Sequence, residues 1–173
     1  MKQYQVRTRH TREAYHIYAK VHMDARIGGP LARAVAILLG LFILTGGVIA
    51  IWQAGFRLLY ILSVLVGLLA IFARPLGIFR MTHQLVNNSS DMGMTIDYVF
   101  RPDGFTAESP GGVIQAGYDE VCKFFETNKY FFVYTGVRMA HILPRADFIS
   151  GDPAAFPTFL TEKTKVPCVR RPY

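Results

Sequence analysis

The chain has 173 residues, of which 51% are hydrophobic, and it carries a formal net charge of +7. The basic excess is local, because residues 1–80 hold ten Lys/Arg and two Asp/Glu, whereas residues 81–173 hold nine and ten. A nucleic-acid-binding protein is expected to carry its positive patch on its folded domain, so this distribution indicates membrane topology and argues against nucleic-acid binding.

The N-terminal part, residues 1–30, predicts a cytoplasmic strand followed by an amphipathic helix. Tyr4, Val6 and Thr8 alternate with polar residues, which is typical of a half-buried strand. Thr11 is suited to N-cap a helix that runs to about Met23. This basic helix either lies on anionic headgroups or docks on the C-terminal domain, and whether the strand joins the C-terminal sheet stays open. The candidate membrane-surface contacts are Arg7, Arg9, Arg12, Lys20, Arg26 and Arg33.

Two apolar segments follow a glycine-containing break at residues 24–30. Ala34 to Phe56 is uncharged for 23 residues, and Leu58 to Ala73 is uncharged for 16. About 20 apolar residues cross a hydrocarbon core. The second segment reaches that length if the Arg57 side chain extends to the membrane interface, so that Arg57 can be included in the span. Pro75 lies just past the C-terminal end of this segment. The sequence therefore predicts a transmembrane helical hairpin over residues 31–75, and membrane lipids as partners.

Charge and small residues describe this hairpin further. Residues 1–33 hold seven Lys/Arg against two acidic residues, which predicts that both termini lie in the cytoplasm. Neither span has an ionisable group in its interior, which argues against a transporter. Small residues four apart allow close helix packing, either within the hairpin or in a dimer interface. The pairs are Ala36 and Gly40, Gly46 and Ala50, and Ser63 and Gly67.

A connecting helix and linker are predicted over residues 76–92, and the helix runs from Pro75 to about Val86. They lead into a β-rich domain over residues 93–173. The turn Pro102-Asp103-Gly104 is a hairpin signal, and Pro144 ends the last of six short strands. The predicted strands are Thr95 to Phe100, Phe105 to Ser109, Val113 to Ala116, Val121 to Thr127, Tyr130 to Thr135 and Arg138 to Leu143.

A C-terminal helix is predicted after the strands. Ser150 or Asp152 caps it, Pro153 lies in its first turn, and it runs to about Thr164. The fold expected for the whole chain is an α+β membrane protein, with a two-helix hairpin and a cytoplasmic pleckstrin-homology-like antiparallel β-barrel that the C-terminal helix closes.

Several motifs of the β-rich domain form one block over about residues 95–162. They are Asp103-Gly104-Phe105, Tyr118-Asp119-Glu120-Val121, Glu126-Thr127, the aromatic run from Tyr130 to Tyr134, and Ile142-Leu143-Pro144-Arg145-Ala146-Asp147-Phe148. This block, with a hairpin before it, resembles the YcxB-like family. The resemblance implies a bacterial inner-membrane protein of uncharacterised role with a C-terminal YcxB-like domain, and it carries over no catalytic residue.

The last of these motifs also has a structural interpretation, which we favour over a binding site. In it Pro144 ends strand pairing, Phe148 plugs the barrel, and Arg145 with Asp147 stays solvated. We expect the motif residues to be structural, and these are Asp103, Gly104, Tyr130, Pro144, Arg145 and Phe148.

The sequence carries no recognisable catalytic, cofactor or metal motif. No pair of histidines has the four-residue spacing of a helical metal site, and Cys122 and Cys168 do not form a CxxC pair. We therefore expect no catalytic residue, no cofactor and no metal.

The expected function is a non-enzymatic, membrane-anchored interaction module that binds a protein partner or self-associates, with exposed strand edges as the docking surface. One alternative is a module that senses anionic lipid or the membrane surface. For it residues 2–33 are the better candidate, because the basic residues of the C-terminal domain are scattered along its sequence. These are Lys123, Lys129, Arg138, Arg145, Lys163 and Lys165. The other alternative is an accessory subunit of a larger membrane complex.

Overall fold

The computed structural model describes residues 4–27, 29–89, 92–136 and 139–173. They form two compact units: unit 1 contains the residues up to Tyr18 together with Leu85–Tyr173, and unit 2 is Ala19–Gln84. Several predicted positions lie outside the described residues. They are residues 1–3 of the N-terminal part, Gly28 in the break before the hairpin, Ser90 and Asp91 in the linker, and Arg138 at the start of the sixth strand.

Unit 2 is built on two long apolar helices, α2 (Gly29–Ala54) and α3 (Leu58–Asn88). Both are long and apolar enough to cross a membrane, with mean hydropathies of 2.7 and 2.2 in windows that are only 11% buried. These properties are compatible with membrane insertion. Helix α3 continues through Pro75, so the prediction that Pro75 follows the helix is wrong. Proline removes one backbone donor from a helix, and apolar helices tolerate this loss when neighbouring groups compensate for it.

Glycines pack α2 against α3. A Cβ added at Gly67 would lie 2.8 Å from the Gly40 carbonyl oxygen, and one at Gly40 would lie 3.1 Å from the Gly67 carbonyl oxygen. Gly47 lies against Ser63, whereas a Cβ added at Gly46 would meet nothing within 4 Å. Helix pairing within the hairpin therefore accounts for Gly40, Ser63 and Gly67, and Gly47 takes the place predicted for Gly46.

Unit 1 contains two β-sheets, the start of helix α1 (Arg12–Ile27) and helix α4 (Phe156–Thr164). The strands of the described residues are β1 (Tyr4–Arg9), β2 (Thr95–Phe100), β3 (Gly104–Ser109), β4 (Gly112–Gly117), β5 (Val121–Glu126), β6 (Tyr130–Thr135), β7 (Met139–Pro144), β8 (Phe148–Ser150) and β9 (Cys168–Arg170). Sheet 1 has the order β4-β3-β2-β1-β8, and sheet 2 has the order β7-β6-β5-β9.

Strand β1 lies inside sheet 1. It pairs antiparallel with β2 from Tyr4↔Phe100 to Arg9↔Thr95, and on its other side it pairs with β8. The side chain of Tyr4 is 1% exposed and that of Val6 is fully buried. The N-terminal strand therefore joins the C-terminal sheet, which answers the question that the sequence left open.

The core of unit 1 contains buried side chains from both sheets and from α4, among them Phe100, Phe131 and Phe156. All six residues of β6 are buried. On one of its faces Phe131 belongs to this core, and on the other the rings of Phe132 and Tyr134 lie 5.9 and 5.8 Å from the ring of Tyr18 in α1. Coverage on both faces explains why this segment is apolar without alternation.

The observed architecture is α+β, with two long apolar helices and two sheets. The pairing pattern leaves the sheets separate, so the predicted closed barrel and pleckstrin-homology-like fold are not confirmed. Strand β9 runs parallel to β5, with Phe124↔Cys168 and Glu126↔Arg170 as partners, so sheet 2 is not purely antiparallel as predicted.

Helix α4 begins at Phe156, which is later than predicted. The Asp152 carboxylate accepts a hydrogen bond from the Ala154 N–H at 2.9 Å and so stabilises a turn that precedes the helix. Pro153 lies in that turn, and Pro157 takes the first-turn position where a missing N–H costs little. Ser150 belongs to β8 and does not cap the helix.

Candidate functional site

A pocket of about 320 Å³ lies at the end of β5 and beside the C-terminal tail. We call it the arginine pocket, and it is lined by Glu126, Thr127, Asn128, Arg145, Arg170 and Arg171. The parallel pairing of β5 with β9 sets Arg170 beside Glu126, and the Arg171 N–H donates to the Glu126 carbonyl oxygen at 2.8 Å. The Arg145 N–H donates to the Lys129 carbonyl oxygen at 2.9 Å. Backbone pairing thus brings three arginines together.

Glu126 is the carboxylate of the pocket, and its side chain is only 9% exposed. One of its oxygens accepts a hydrogen bond from Arg145 Nη2, and the other accepts one from Arg170 Nε at 2.7 Å. Burial acts to raise the pKa of Glu126, but the hydrogen bonds and charges of Arg170 and Arg145 hold this pKa below its usual value. Glu126 therefore stays ionised at neutral pH and orients both guanidinium groups.

Arg145 is held by contacts on several sides. Its guanidinium carbon lies 4.5 Å from the centre of the Phe131 ring, and its Nε donates to the Thr127 carbonyl oxygen at 3.2 Å. The side chain is 30% exposed. The prediction that Arg145 stays solvated is therefore wrong, because the pairing of β6 with β7 brings it over Phe131 and against Glu126.

Arg170 and Arg171 were not among the residues singled out from the sequence. The side chain of Arg170 is 83% exposed, so its terminal nitrogens face solvent. Arg171 Nε is buried and has no hydrogen-bond partner among the residues that the structure describes. The one sequence signal was the Arg-Arg pair itself, and nothing in it indicated a parallel strand that reaches back to β5.

The Cys168 thiol has a raised pKa, and the described side chains form no metal-binding cluster. Burial, together with the nearby charge of Glu126, raises the pKa of Cys168 to about 12, so this thiol stays protonated. Over residues 4–27, 29–89, 92–136 and 139–173, no three His, Cys, Asp or Glu side chains lie close enough to hold a metal ion.

A second feature is the edge of sheet 1 that β4 forms; among the described strands β4 pairs with β3 alone. The two-residue loop Pro110-Gly111 makes Ser109↔Gly112 the closing pair of the hairpin. Because hydrogen-bonded pairs alternate along antiparallel strands, the backbone groups of Val113 and Gln115 point away from β3. The backbone groups of Gly117 also point away from β3, and the Gly117 N–H donates to the Glu120 carboxylate at 2.9 Å. We call Val113 to Gln115 the β4 edge. It carries no charge, and Val113 is 65% exposed.

Comparison with known proteins identifies the segment around the pocket. Residues 100–160 match the family model described as YcxB-like protein. This segment is YcxB-like. The resemblance predicted from the motifs is thereby confirmed. The YcxB-like segment contains Glu126 and Arg145, whereas Arg170 and Arg171 follow it. The chain matched no curated protein and no solved structure.

The six motif residues all fall inside the YcxB-like segment. At Gly104 an added Cβ would lie 2.7 Å from the Ala116 carbonyl oxygen, so close pairing of β3 with β4 requires glycine there. Tyr130 is buried and is the register partner of Pro144. The Phe148 ring lies 5.2 Å from the Phe156 ring. Asp103 lies in the turn between β2 and β3. Of the six, Arg145 is the one that lines the pocket.

The six candidate membrane-surface residues divide between the two units. Unit 1 holds Arg7, Arg9 and Arg12, and unit 2 holds Lys20, Arg26 and Arg33. Arg7 Nε lies 2.6 Å from the Asp97 carboxylate, and Arg9 Nε donates to the Gly93 carbonyl oxygen at 2.6 Å. Two of the six therefore already have partners within sheet 1 and its adjoining turn. The side chain of Arg26 lies outside the described residues.

Proposed function

We propose that this chain is a non-enzymatic, membrane-anchored interaction module of the bacterial inner membrane, with both termini in the cytoplasm. The length and hydropathy of α2 and α3 support the anchor. Strand β1 precedes these helices and β2 follows them, yet the two strands pair in one sheet. This pairing supports an arrangement in which the segments on either side of the hairpin share one side of the membrane, as two crossings require. The excess of Lys/Arg near the helices supports the cytoplasmic side.

Unit 1, in this proposal, is a variant of the pleckstrin-homology-like fold, in which a curled sheet has one open end closed by a C-terminal helix. The full burial of Phe156 and Leu160 in α4, within the same core as both sheets, supports this relationship. The strands of the two sheets are not hydrogen-bonded to each other, and in this respect the variant differs from a closed barrel.

The observation that carries the interaction proposal is the β4 edge. Exposed strand edges present unpaired N–H and C=O groups, and proteins usually protect them with lysine, proline or a bulge. The β4 edge has none of these, and Val113 and Ile114 are 65% and 46% exposed. Such an edge is suited to accept a strand from another chain by β-augmentation.

The occupant that we favour is the β4 edge of a second copy. Antiparallel pairing about a two-fold axis at Ile114 would set Val113 of each copy opposite Gln115 of the other, so that both outward-pointing pairs are satisfied. Because β4 carries no charge, this pairing sets no like charges opposite each other. Anchoring in one membrane plane also raises the effective concentration of the two edges.

The test compares the full chain with two variants at one position. Val113→Pro removes an outward N–H and leaves the hydrogen bonds between β3 and β4 intact, and proline is tolerated on edge strands. Val113→Thr keeps the N–H and the branched shape, and it serves as the matched control. Each protein is purified in mild detergent, and its mass is measured by light scattering and native mass spectrometry.

We expect the wild type and Val113→Thr to be dimers and Val113→Pro to be a monomer that still unfolds cooperatively. A Val113→Pro dimer would refute pairing through β4. If a stoichiometric partner protein is lost only in Val113→Pro, the occupant of the β4 edge is a strand of that partner and not a second copy of this chain. If a partner protein is retained in all three proteins, the chain is better described as an accessory subunit that docks through another surface. That result would contradict docking through the β4 edge.

A further inference from the structure

The arginine pocket holds more positive charge than its internal pairing requires. Arg145, Arg170 and Arg171 contribute three guanidinium groups, and Glu126 is the one carboxylate among the lining residues. Both oxygens of Glu126 are already occupied by Arg145 and Arg170. The lining therefore keeps an excess of two positive charges beside a carboxylate that has no free oxygen to pair with them.

Several guanidinium donors of the pocket also remain available. Each guanidinium carries five N–H groups. Arg145 uses its Nε and Nη2, and Arg170 uses its Nε. The terminal nitrogens of Arg170 extend into solvent on a side chain that is 83% exposed. Arg171 Nε is buried without a hydrogen-bond partner in the described part of the chain. Because that atom is shielded from solvent, the terminal nitrogens of Arg170 are the donors most open to a ligand.

From this arrangement we propose that the arginine pocket binds a phosphoryl group that carries about two negative charges, either as free phosphate or as the monoester headgroup of phosphatidic acid. A phosphate monoester carries about two negative charges at neutral pH and three strong acceptor oxygens, which matches the charge excess and the forked donors of the pocket. A pocket of about 320 Å³ has room for one such group. Glu126 acts as a positioning residue that holds Arg145 and Arg170 in place.

Phosphate is favoured over a simple carboxylate by the charge. A carboxylate would balance one of the two excess charges, whereas a phosphate monoester balances both. Arginine rather than lysine at all three positions also suits planar, forked recognition of phosphoryl oxygens. This site does not depend on the β4 edge, which belongs to the other sheet.

The test uses the full chain in a neutral detergent that contains no phosphate. Inorganic phosphate and water-soluble dioctanoyl phosphatidic acid are titrated separately by isothermal calorimetry, with dioctanoylglycerol as the probe that lacks the phosphoryl group. The variant Arg170→Gln/Arg171→Gln is compared with Lys163→Gln/Lys165→Gln, which removes the same charge from exposed residues outside the pocket. Thermal unfolding checks that each variant is folded.

We expect the Arg170→Gln/Arg171→Gln variant to lose at least about tenfold in affinity and the lysine variant to lose little, because specific donors outweigh net charge. Binding of both phosphorylated probes would support a site for the phosphoryl group itself. Binding of phosphatidic acid alone would assign the site to a lipid headgroup, and binding of phosphate alone would assign it to a soluble ligand. The proposal is overturned if neither phosphorylated probe binds, if dioctanoylglycerol binds equally well, or if both variants lose affinity equally.

Discussion

Acidification is expected to destabilise unit 1 through His141. This side chain lies on β7 and is 4% exposed, with Nε2 3.1 Å from Thr135 Oγ1. Its ring centre lies 5.0 Å from that of Phe105. Burial first, and the charge of His10 second, lower the pKa of His141 from 6.5 to about 4. The folded state therefore favours the neutral imidazole.

The sign and size of the effect follow from this difference. Because the pKa is lower in the folded state, the stability is fully present above about pH 6.5 and is lost as the pH falls toward about 4. One pKa unit corresponds to about 1.4 kcal/mol, so the full effect is about 3 kcal/mol. Between pH 7 and pH 5 the expected loss in the free energy of unfolding is about 2 kcal/mol.

The assay is urea unfolding of the full chain in detergent micelles at pH 7, 6 and 5, followed by the near-ultraviolet circular dichroism of the aromatic side chains. The matched variant is His141→Gln, which keeps a polar group for Thr135 and does not titrate. Its stability should fall much less over the same pH range, and carboxylates contribute equally to both proteins. If the wild type and the variant lose stability in parallel, His141 is not the acid-sensitive group and the argument fails.

Four further substitutions probe the packing, each measured by thermal unfolding of the full chain in detergent. Gly67→Ala should lower the melting temperature, because its Cβ would lie 2.8 Å from the backbone of α2, whereas Gly46→Ala should leave it unchanged or raise it slightly. Equal effects of these two changes would contradict the helix pairing. Gly151→Ala should cost about 1–3 kcal/mol, because Gly151 has a φ of +88° and the added methyl would meet the Tyr4 ring; an unchanged stability would contradict this contact. Phe156→Ala should cost about 3–5 kcal/mol, because Phe156 is fully buried in the core of unit 1. A loss below about 1 kcal/mol would mean that α4 does not anchor this core.

The sequence predicted the elements whose signals are local. The alternation in Tyr4, Val6 and Thr8 indicated β1, and the turn at Pro102-Asp103-Gly104 indicated the hairpin of β2 and β3. Thr11 accepts a hydrogen bond from the Ala14 N–H at 3.2 Å, as an N-cap should. Such signals lie within a few residues of the structure that they specify.

The elements that escaped prediction depend on distant partners. Strands β8 and β9 each have three residues, which is too short for any periodicity, and β9 gains its identity from pairing with β5. The same pairing creates the arginine pocket, so Arg170 and Arg171 could not be connected with Arg145 from spacing alone. The continuation of α3 through Pro75 also escaped prediction, since proline locally favours a break.

The place of β1 within sheet 1 has a consequence for biosynthesis. Strand β1 is translated before the apolar hairpin, yet its partners β2 and β8 leave the ribosome only after the whole hairpin has been made. Until then the apolar face formed by Tyr4 and Val6 has no sheet to cover it. A nascent chain whose hairpin is delayed or wrongly delivered would hold this strand unpaired, and β2 and β8 would lack the strand that joins them. Completion of unit 1 therefore waits until the hairpin and the strands that follow it have been made.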